Sequence, residues 1–215
     1  SGVVDGTEEY KRLCTELLHK QDTNIEVVRV WQIENIYLWQ QYAALHSTIK
    51  AKLPVDRVSY SDYSDRDITI ASDEDWMQEK LNLDRNGKEA FLFYGSEAKN
   101  VNSIQQQGFD SRVESLGADY GSGCYFTDNL IKVLQNLPKN EEGIMFLFLA
   151  RVSLGFSFKT NKKMPYVRRP PLLKKSQRVC DSVCGNAGGI QEFVVYDKRQ
   201  CYPELMIEIT KKKKS

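Results

Sequence analysis

The sequence predicts an α+β domain built around a mostly antiparallel sheet. Two helical patterns come first, two shorter ones follow, and about six strand patterns lie between and after them. The regular alternation of strand and helix that a parallel sheet requires is missing. The chain has 215 residues, and 41% of them are hydrophobic. This is enough for one sizeable core, and we expect a single domain over residues 1–215.

The first quarter of the chain predicts a helix, a strand and a second helix. Thr7 begins a capping sequence for a helix that runs to about Lys20. The β-branched run 25–33 predicts a strand, and Asn35 can cap the helix that follows. The apolar stripe of this second helix predicts core packing, and its members are Leu38, Trp39, Tyr42, Leu45 and Ile49.

Residues 54–88 form a polar, acidic connection with one possible short helix, capped at Ser72. A connection of this length inside a compact domain is usually either functional or mobile. We therefore expect an exposed insertion and assign no chemistry to it.

The stretch 91–126 is the one around which the rest of the chain is organised. Its apolar start predicts a buried strand, Ser96 can cap a helix, and Gly108 ends that helix. The apolar positions of the helix are Ala98, Val101 and Ile104. The return segment 120–126 has two glycines, where the backbone can turn tightly or lie against a ligand. These residues suit a nucleotide cleft, and they suit an ordinary strand–helix–strand unit equally well.

The second half of the chain predicts one more short helix, capped by Asp128, and three strands. Residues 143–154 are the best candidate for a central strand, and 192–197 and 204–210 alternate apolar and polar positions. The segment 156–189 is loop-rich and basic. Its pair Arg168 and Arg169 is suited either to a phosphate contact or to solvation on a loop.

Charge and cysteine usage restrict the cellular setting. Lys and Arg number 30 and Asp and Glu 29, which gives a net charge of +1 and no global signal for nucleic acid or membrane. The basic tail 211–215 is expected to be frayed and solvated. Without a membrane-length apolar stretch or a secretory leader, we expect a cytoplasmic or nuclear protein with reduced thiols. Five scattered cysteines and two distant histidines give no zinc-ligand spacing, so we expect no metal.

The ordered segments resemble the catalytic domain of the poly(ADP-ribose) polymerase (PARP) family, the diphtheria-toxin-like ADP-ribosyltransferases. They are VVRVWQIENIYLWQQY, LFYGSEAKNVNSIQQQGFD, YGSGCYF, FLARVSLG and EFVVYDKRQCYPELMIEI. The resemblance covers nearly the whole chain except residues 54–88. Within the family, the chain resembles the tankyrase or mono-ADP-ribosylating branch. It implies a split, mostly antiparallel sheet with short flanking helices and an NAD cleft between the halves.

The resemblance also implies a His-Tyr-Glu triad, of which this chain keeps two members. Tyr125 stands where the family tyrosine stacks on nicotinamide, and Glu192 where the glutamate stabilises the oxocarbenium-like transition state. Tyr94 stands in place of the histidine that orients NAD, and a phenol has a different reach from an imidazole. The same change is known from the zinc-finger antiviral protein, a family member regarded as inactive, although Glu192 departs from that parallel.

The implied cofactor-binding set is also incomplete. Gly95 keeps the glycine whose backbone grips the nicotinamide amide. Val133 replaces a serine that hydrogen-bonds the carboxamide, and Asn136 replaces a second stacking tyrosine. Arg112 lies where family members contact the adenosine side, or is a surface charge. The remaining candidates in the set are Ser96, Tyr120 and Gly123.

The sequence therefore predicts a PARP-like domain with a degraded NAD site, inactive or very weak, that acts as a binding or regulatory module. The alternative is an active protein mono-ADP-ribosyltransferase that takes NAD as co-substrate and uses Glu192. A third hypothesis is nucleic-acid or protein binding through the basic loop 159–175, where the sequence gives poor support for base stacking. Acceptor and partner proteins are not identified. Nucleic acid is a possible partner of other domains of a longer parent protein, and no membrane partner is expected.

Overall fold

The computed structural model describes residues 2–53, 68–111, 118–173 and 178–212. Within these ranges there are five α-helices and nine strands, which confirms the α+β class. The helices are α1 (Glu8–His19), α2 (Ile36–Ala51), α3 (Asp75–Leu81), α4 (Ala98–Gln107) and α5 (Leu130–Asn136). The strands are β1 (Gly2–Asp5), β2 (Ile25–Glu34), β3 (Glu89–Ser96), β4 (Cys124–Phe126), β5 (Met145–Ser153), β6 (Ser157–Thr160), β7 (Ser182–Gly185), β8 (Glu192–Val195) and β9 (Cys201–Lys211).

The strands form two separate sheets, as the predicted split sheet requires. The larger sheet has the order β1-β2-β9-β5-β3 and is antiparallel throughout. The smaller sheet has the order β4-β8-β7-β6, in which only the β6–β7 pair is parallel. The long apolar run 143–154 becomes β5, which is paired on both sides, while β9 occupies the middle of the larger sheet.

Two apolar clusters lie on opposite faces of the larger sheet. Along β3, Phe91 and Phe93 point into the cluster under α1, α3 and α5, while Leu92 and Tyr94 point into the cluster between the two sheets. This follows from the period of two along a strand. The second cluster is the core that holds the two sheets together, and Tyr94 lies at its edge.

Local signals place two of the predicted helices correctly. Thr7 accepts a hydrogen bond from the Tyr10 amide at the start of α1, and Asn35 accepts one from the Leu38 amide at the start of α2. Gly108 ends α4 with φ +80°, a conformation that favours glycine. The α2 stripe is only partly core, because just Tyr42 and Ile49 are buried and Trp39 is 38% exposed.

The prediction of an exposed insertion over 54–88 is wrong for its described part, residues 68–88. This part contains α3, and its apolar residues Met77, Leu81 and Leu83 are buried in the core beneath the larger sheet. These three core residues are spaced four and two positions apart among acidic and polar residues, so the composition of the segment did not indicate burial. Residues 54–67 lie outside the described ranges.

Three predicted helix caps are also wrong, and in two of them the side chain has a partner distant in the sequence. Ser72 is buried and donates to the Phe91 carbonyl at 2.6 Å, and α3 begins after Glu74. Asp128 accepts from the Ala71 amide at 2.8 Å, and Asn129 caps α5 instead. Ser96 is the last residue of β3 and does not cap α4.

The sequence also gave no indication of β1, β6 and β7, which are all four residues long. No helix in the described ranges has the length and apolar character needed to cross a membrane.

Candidate active site

A cavity of about 180 Å³ lies where the two sheets meet. Its walls come from the end of β3, from β4, from the start of β8 and from α5. Six of the predicted site residues line it together: Tyr94, Gly95, Tyr125, Val133, Asn136 and Glu192. The other lining residues are Phe93, Phe126, Thr127, Lys132 and Leu137.

Backbone pairing between the sheets explains why these residues converge. Phe93 of β3 and Thr127, just after β4, exchange both amide hydrogen bonds, at 2.7 and 3.2 Å. This bridge places Tyr94 and Gly95 beside the Tyr125 strand. β4 is in turn paired with β8, where Phe126 faces Phe193, so Glu192 follows at the same end of the cavity.

Tyr94 is held by aromatic packing. Its ring meets Phe109 edge-on at 4.9 Å between centroids and Phe126 at 5.8 Å with a tilt of 50°. Such arrangements are the favoured geometries of aromatic pairs. The half-buried ring therefore belongs to the core between the sheets while its edge lines the cavity. A histidine ring, which is smaller, would fill less of this space.

Two side chains of the α5 segment lie against Gly95, which is half-buried. A Cβ atom built on Gly95 would lie 2.7 Å from Val133 Cγ1 and 2.8 Å from Leu137 Cδ1. Both distances are shorter than ordinary carbon–carbon contact. The methyl groups of α5 therefore pack directly on the Gly95 backbone, which the resemblance assigns to the nicotinamide amide.

Glu192 is paired with a lysine that sequence reasoning missed. Lys132 Nζ lies 2.5 Å from Glu192 Oε1, and the two side chains are 32% and 19% exposed. Lys132 belongs to α5, where the Asn129 side chain accepts a hydrogen bond from its amide at 2.9 Å. In the sequence, Lys132 is marked as a site residue only by its position next to Val133. The pair leaves the carboxylate with a full positive charge beside it.

Tyr125 forms a fixed wall of the cavity. Its hydroxyl donates to the Gly121 carbonyl at 2.8 Å and accepts from the Tyr120 amide at 2.9 Å. Burial raises the pKa of Tyr125 well above its ordinary value. The phenol is therefore neutral at physiological pH, and its hydroxyl is occupied by the loop behind it.

Three of the predicted binding residues, Ser96, Tyr120 and Gly123, do not line this cavity. Ser96 is buried and donates to the Glu97 carbonyl. Tyr120 is also buried, and its hydroxyl accepts from the Ala187 amide at 2.8 Å. A Cβ on Gly123 would lie 2.4 Å from Val194 Cγ1, so this glycine permits close packing against β8. Asn136 lines the cavity from an exposed position, and Arg112 lies outside the described residues.

Metal chemistry finds no support in the described part of the chain. No three His, Cys, Asp or Glu side chains there come together as possible ligands. All five cysteines are buried.

Comparison with known proteins decides the family. The family model "Poly(ADP-ribose) polymerase catalytic domain" matches residues 7–181. This range is most of the chain and includes the segments of Tyr94 and Tyr125. The chain belongs to the PARP catalytic domain family. The resemblance seen in the sequence is thereby confirmed, and the chain is an ADP-ribosyltransferase-family domain. Members of this family use NAD as a substrate.

Curated relatives of this PARP domain include mono-ADP-ribosyltransferases of two kinds. Mouse "Protein mono-ADP-ribosyltransferase PARP12" is 33% identical over 137 residues, which cover 62% of this chain and 19% of that protein. The human PARP12 protein is 32% identical over 139 residues. Mouse "Protein mono-ADP-ribosyltransferase PARP11" is 23% identical over 222 residues, which cover 94% of this chain and 57% of that protein. The chain thus spans about a fifth of the PARP12 proteins and little more than half of PARP11.

Proposed function

We propose that this PARP domain has a closed nicotinamide subsite, turns over NAD very slowly or not at all, and acts as an intracellular binding or regulatory module. The observation that carries the proposal is the packing of Val133 and Leu137 on Gly95. These two side chains narrow the access of a ligand to the glycine that the resemblance assigns to the nicotinamide amide.

The size of the cavity supports the same conclusion. Pockets that bury drug-sized ligands usually have volumes of ~300–1,000 Å³. The cavity at the sheet junction measures about 180 Å³. NAD is larger than most drug-sized ligands, so this cavity cannot enclose the whole dinucleotide.

The electrostatics of the site point in the same direction. Cleavage of the glycosidic bond of NAD develops positive charge on the ribose carbon, which a carboxylate can stabilise if it faces that carbon. In this domain Glu192 faces Lys132 at 2.5 Å instead. A cation at that position opposes further positive charge nearby.

Calorimetric titration of the domain with NAD, beside a thermal-shift assay, tests this proposal. We expect no heat and no rise in melting temperature at millimolar NAD, because a ligand stabilises only the state that binds it. The variant Tyr94→His/Val133→Ser/Asn136→Tyr restores the three family groups. Each restored hydrogen bond is worth ~1–3 kcal/mol and the stack about 1 kcal/mol more, so we expect measurable heat from this variant.

Ile131→Ser is the matched control, since Ile131 lies on the same helix but is 42% exposed and does not line the cavity. It should leave the response to NAD unchanged. Heat and a rise in melting temperature from the natural domain at micromolar NAD would overturn the closed subsite. A restored variant that gives no heat would show that the three replaced residues are not what closes it.

The second candidate function is an active mono-ADP-ribosyltransferase. It is supported by the convergence of Gly95, Tyr125 and Glu192 on one cavity and by the names of the PARP12 and PARP11 relatives. Incubation with labelled NAD tests it. If the natural domain modifies itself or a protein acceptor, Glu192→Gln should abolish the signal, while the exposed Glu141→Gln control should keep it. Signal loss in the first variant alone would favour this function over the binding module.

A further inference from the structure

An exposed tyrosine lies at the tip of a β-turn beside the smaller sheet. The Val167 amide donates to the Met164 carbonyl at 3.2 Å, which closes a turn with Pro165 and Tyr166 at its centre. Proline favours the first of these two positions. The Tyr166 side chain is 93% exposed, the highest value among the large apolar and aromatic residues described. The whole phenol ring is therefore accessible to a ligand.

The turn is held firmly against the loop that precedes β4. The Met164 amide donates to the Asp119 carbonyl at 2.6 Å, and the Ser122 amide donates to the Val167 carbonyl at 2.9 Å. The Met164 side chain packs on the apolar cluster of the smaller sheet. Tyr166 is therefore presented on an anchored support, which lowers the entropy lost when a ligand packs on its ring.

Basic side chains flank the tyrosine on both sides. Residues 159–169 contain five Lys and Arg residues and no acidic one, in a chain whose net charge is only +1. Lys163 pairs with Asp119 at 2.9 Å. Lys162, Arg168 and Arg169 are exposed, and none of them forms an ion pair with another described residue. We call residues 162–169 the Tyr166 turn.

The Tyr166 turn borders the candidate active site. A Cβ on Gly121 would lie 1.8 Å from the Val167 carbonyl oxygen, so the two backbones are in direct contact. The Gly121 carbonyl accepts the hydroxyl of Tyr125, which lines the cavity. The turn is thus connected to the cavity through Gly121 and Tyr125.

We propose that the Tyr166 turn binds single-stranded nucleic acid, with one base stacked on Tyr166 and phosphates paired with Lys162, Arg168 and Arg169. Unpaired cations attract any polyanion, but an exposed ring between them adds a surface on which an unstacked base can lie. A duplex keeps its bases stacked on each other and cannot use the ring. The inference names a partner class for the binding role proposed above, and it holds whether or not NAD enters the cavity.

Fluorescence anisotropy with the 215-residue chain and a labelled 12-nucleotide single-stranded RNA tests the inference, with single-stranded DNA and duplex RNA of the same length as further probes. Three phosphate contacts predict a slope of about −2 in log affinity against log salt concentration. Tyr166→Ala should weaken binding about tenfold, as expected for one lost base stack, without changing this slope. Arg168→Gln/Arg169→Gln should weaken binding and reduce the slope to about −0.7, because one of the three contacts remains.

Matched controls separate these effects from general ones. Tyr37→Ala removes another exposed tyrosine, which is 68% exposed on α2. Lys139→Gln/Lys198→Gln removes two exposed charges elsewhere on the surface. Both controls should bind RNA like the natural chain. Calorimetry with NAD on the Arg168→Gln/Arg169→Gln variant should match the natural chain as well, so a failure here is distinguishable from a failure of the closed subsite.

Three results would overturn the inference. The first is a slope near zero in log affinity against log salt concentration. The second is equal binding by the Tyr166→Ala and natural chains. This second result would mean that the turn binds polyanions in general. The third is duplex RNA, an acidic peptide or anionic phospholipid vesicles binding as tightly as single-stranded RNA.

Discussion

The buried charges around Arg151 should govern the stability of the larger sheet. Arg151 of β5 donates to Glu204 of β9 at 2.7 Å and to Glu89 of β3 at 3.1 Å. It also donates to the Leu81 and Asn82 carbonyls at the end of α3. The Arg151 side chain is only 3% exposed, and those of Glu89 and Glu204 are 4% and 9% exposed. The group joins three neighbouring strands, one of which carries Tyr94 and Gly95.

Arg151→Met should therefore be strongly destabilising. The change removes the guanidinium that both buried carboxylates share, and removal of one partner from a buried pair costs ~3–5 kcal/mol. Native domains are stable by ~5–15 kcal/mol in total, so this variant should be marginal. In the variant Arg151→Met/Glu89→Gln/Glu204→Met no charge remains, and we expect it to recover at least half of the loss, because apolar replacement of a buried ion group is often neutral.

The cost of Arg151→Met should also depend on pH. Burial raises the pKa of Glu204 in the folded chain. A carboxyl with a raised folded pKa stabilises the fold most below its unfolded pKa, and this contribution is lost as pH rises through the folded pKa. Removing Arg151 removes a charge that lowers the pKa of Glu204, so the folded pKa should rise further. The destabilisation should then be larger at pH 8 than at pH 5, by ~1.4 kcal/mol for each further pKa unit.

Urea unfolding at the two pH values, followed by far-UV circular dichroism, measures these differences. Arg12→Met is the matched control, because Arg12 pairs with Glu16 at 2.9 Å on the surface with both side chains more than half exposed. An exposed pair of this kind contributes ~0.2–1 kcal/mol. If Arg151→Met costs no more than Arg12→Met, or if its cost is the same at pH 5 and pH 8, the reasoning is refuted.

Other predictions concern local features of the fold. Asn35→Ala should lower the free energy of unfolding by about 2 kcal/mol in urea titration, since Asn35 caps α2 and also donates to the Gln105 and Gln106 carbonyls; a loss below that of Thr7→Ala would contradict this. Gly121→Ala should shift the melting temperature downward and weaken RNA binding, because φ is +79° and the new Cβ meets Val167; unchanged melting would contradict the contact. Burial raises the pKa of Cys14 to about 12, so its thiol should react with a disulfide reagent only when the chain unfolds, and rapid reaction of the folded chain would be a contrary result.

The parts of the fold that the sequence predicts are those with strong local signals. The caps at Thr7 and Asn35 and the apolar run of β5 were recognisable because each depends on neighbouring residues. Ser72 and Asp128 are typical capping residues, but their side chains bond to Phe91 and Ala71, far away in the sequence. A local pattern cannot distinguish these two uses of a short polar side chain.

Prediction of the site was limited in a different way. The family resemblance identified Tyr94, Gly95 and Glu192 as neighbours, and the structure brings them to one cavity. It could not reveal that Lys132 pairs with Glu192, because no family motif drew attention to that lysine. The contact of Val133 with Gly95 is equally absent from any sequence motif, because it depends on where α5 packs on β3.

These two contacts have a common origin in α5. The helix presents Val133 to Gly95 and Lys132 to Glu192 from successive positions, so one placement of a seven-residue helix accounts for both the packing on Gly95 and the ion pair with Glu192. Its buried anchor is Leu130, and the Leu130 amide donates to the Gln21 side chain at 2.7 Å. Opening the cavity would require breaking this anchorage together with the Lys132 pair. A polar residue at position 133 would reduce the apolar contact that holds α5 on β3, so Val133 stabilises the observed position of the helix.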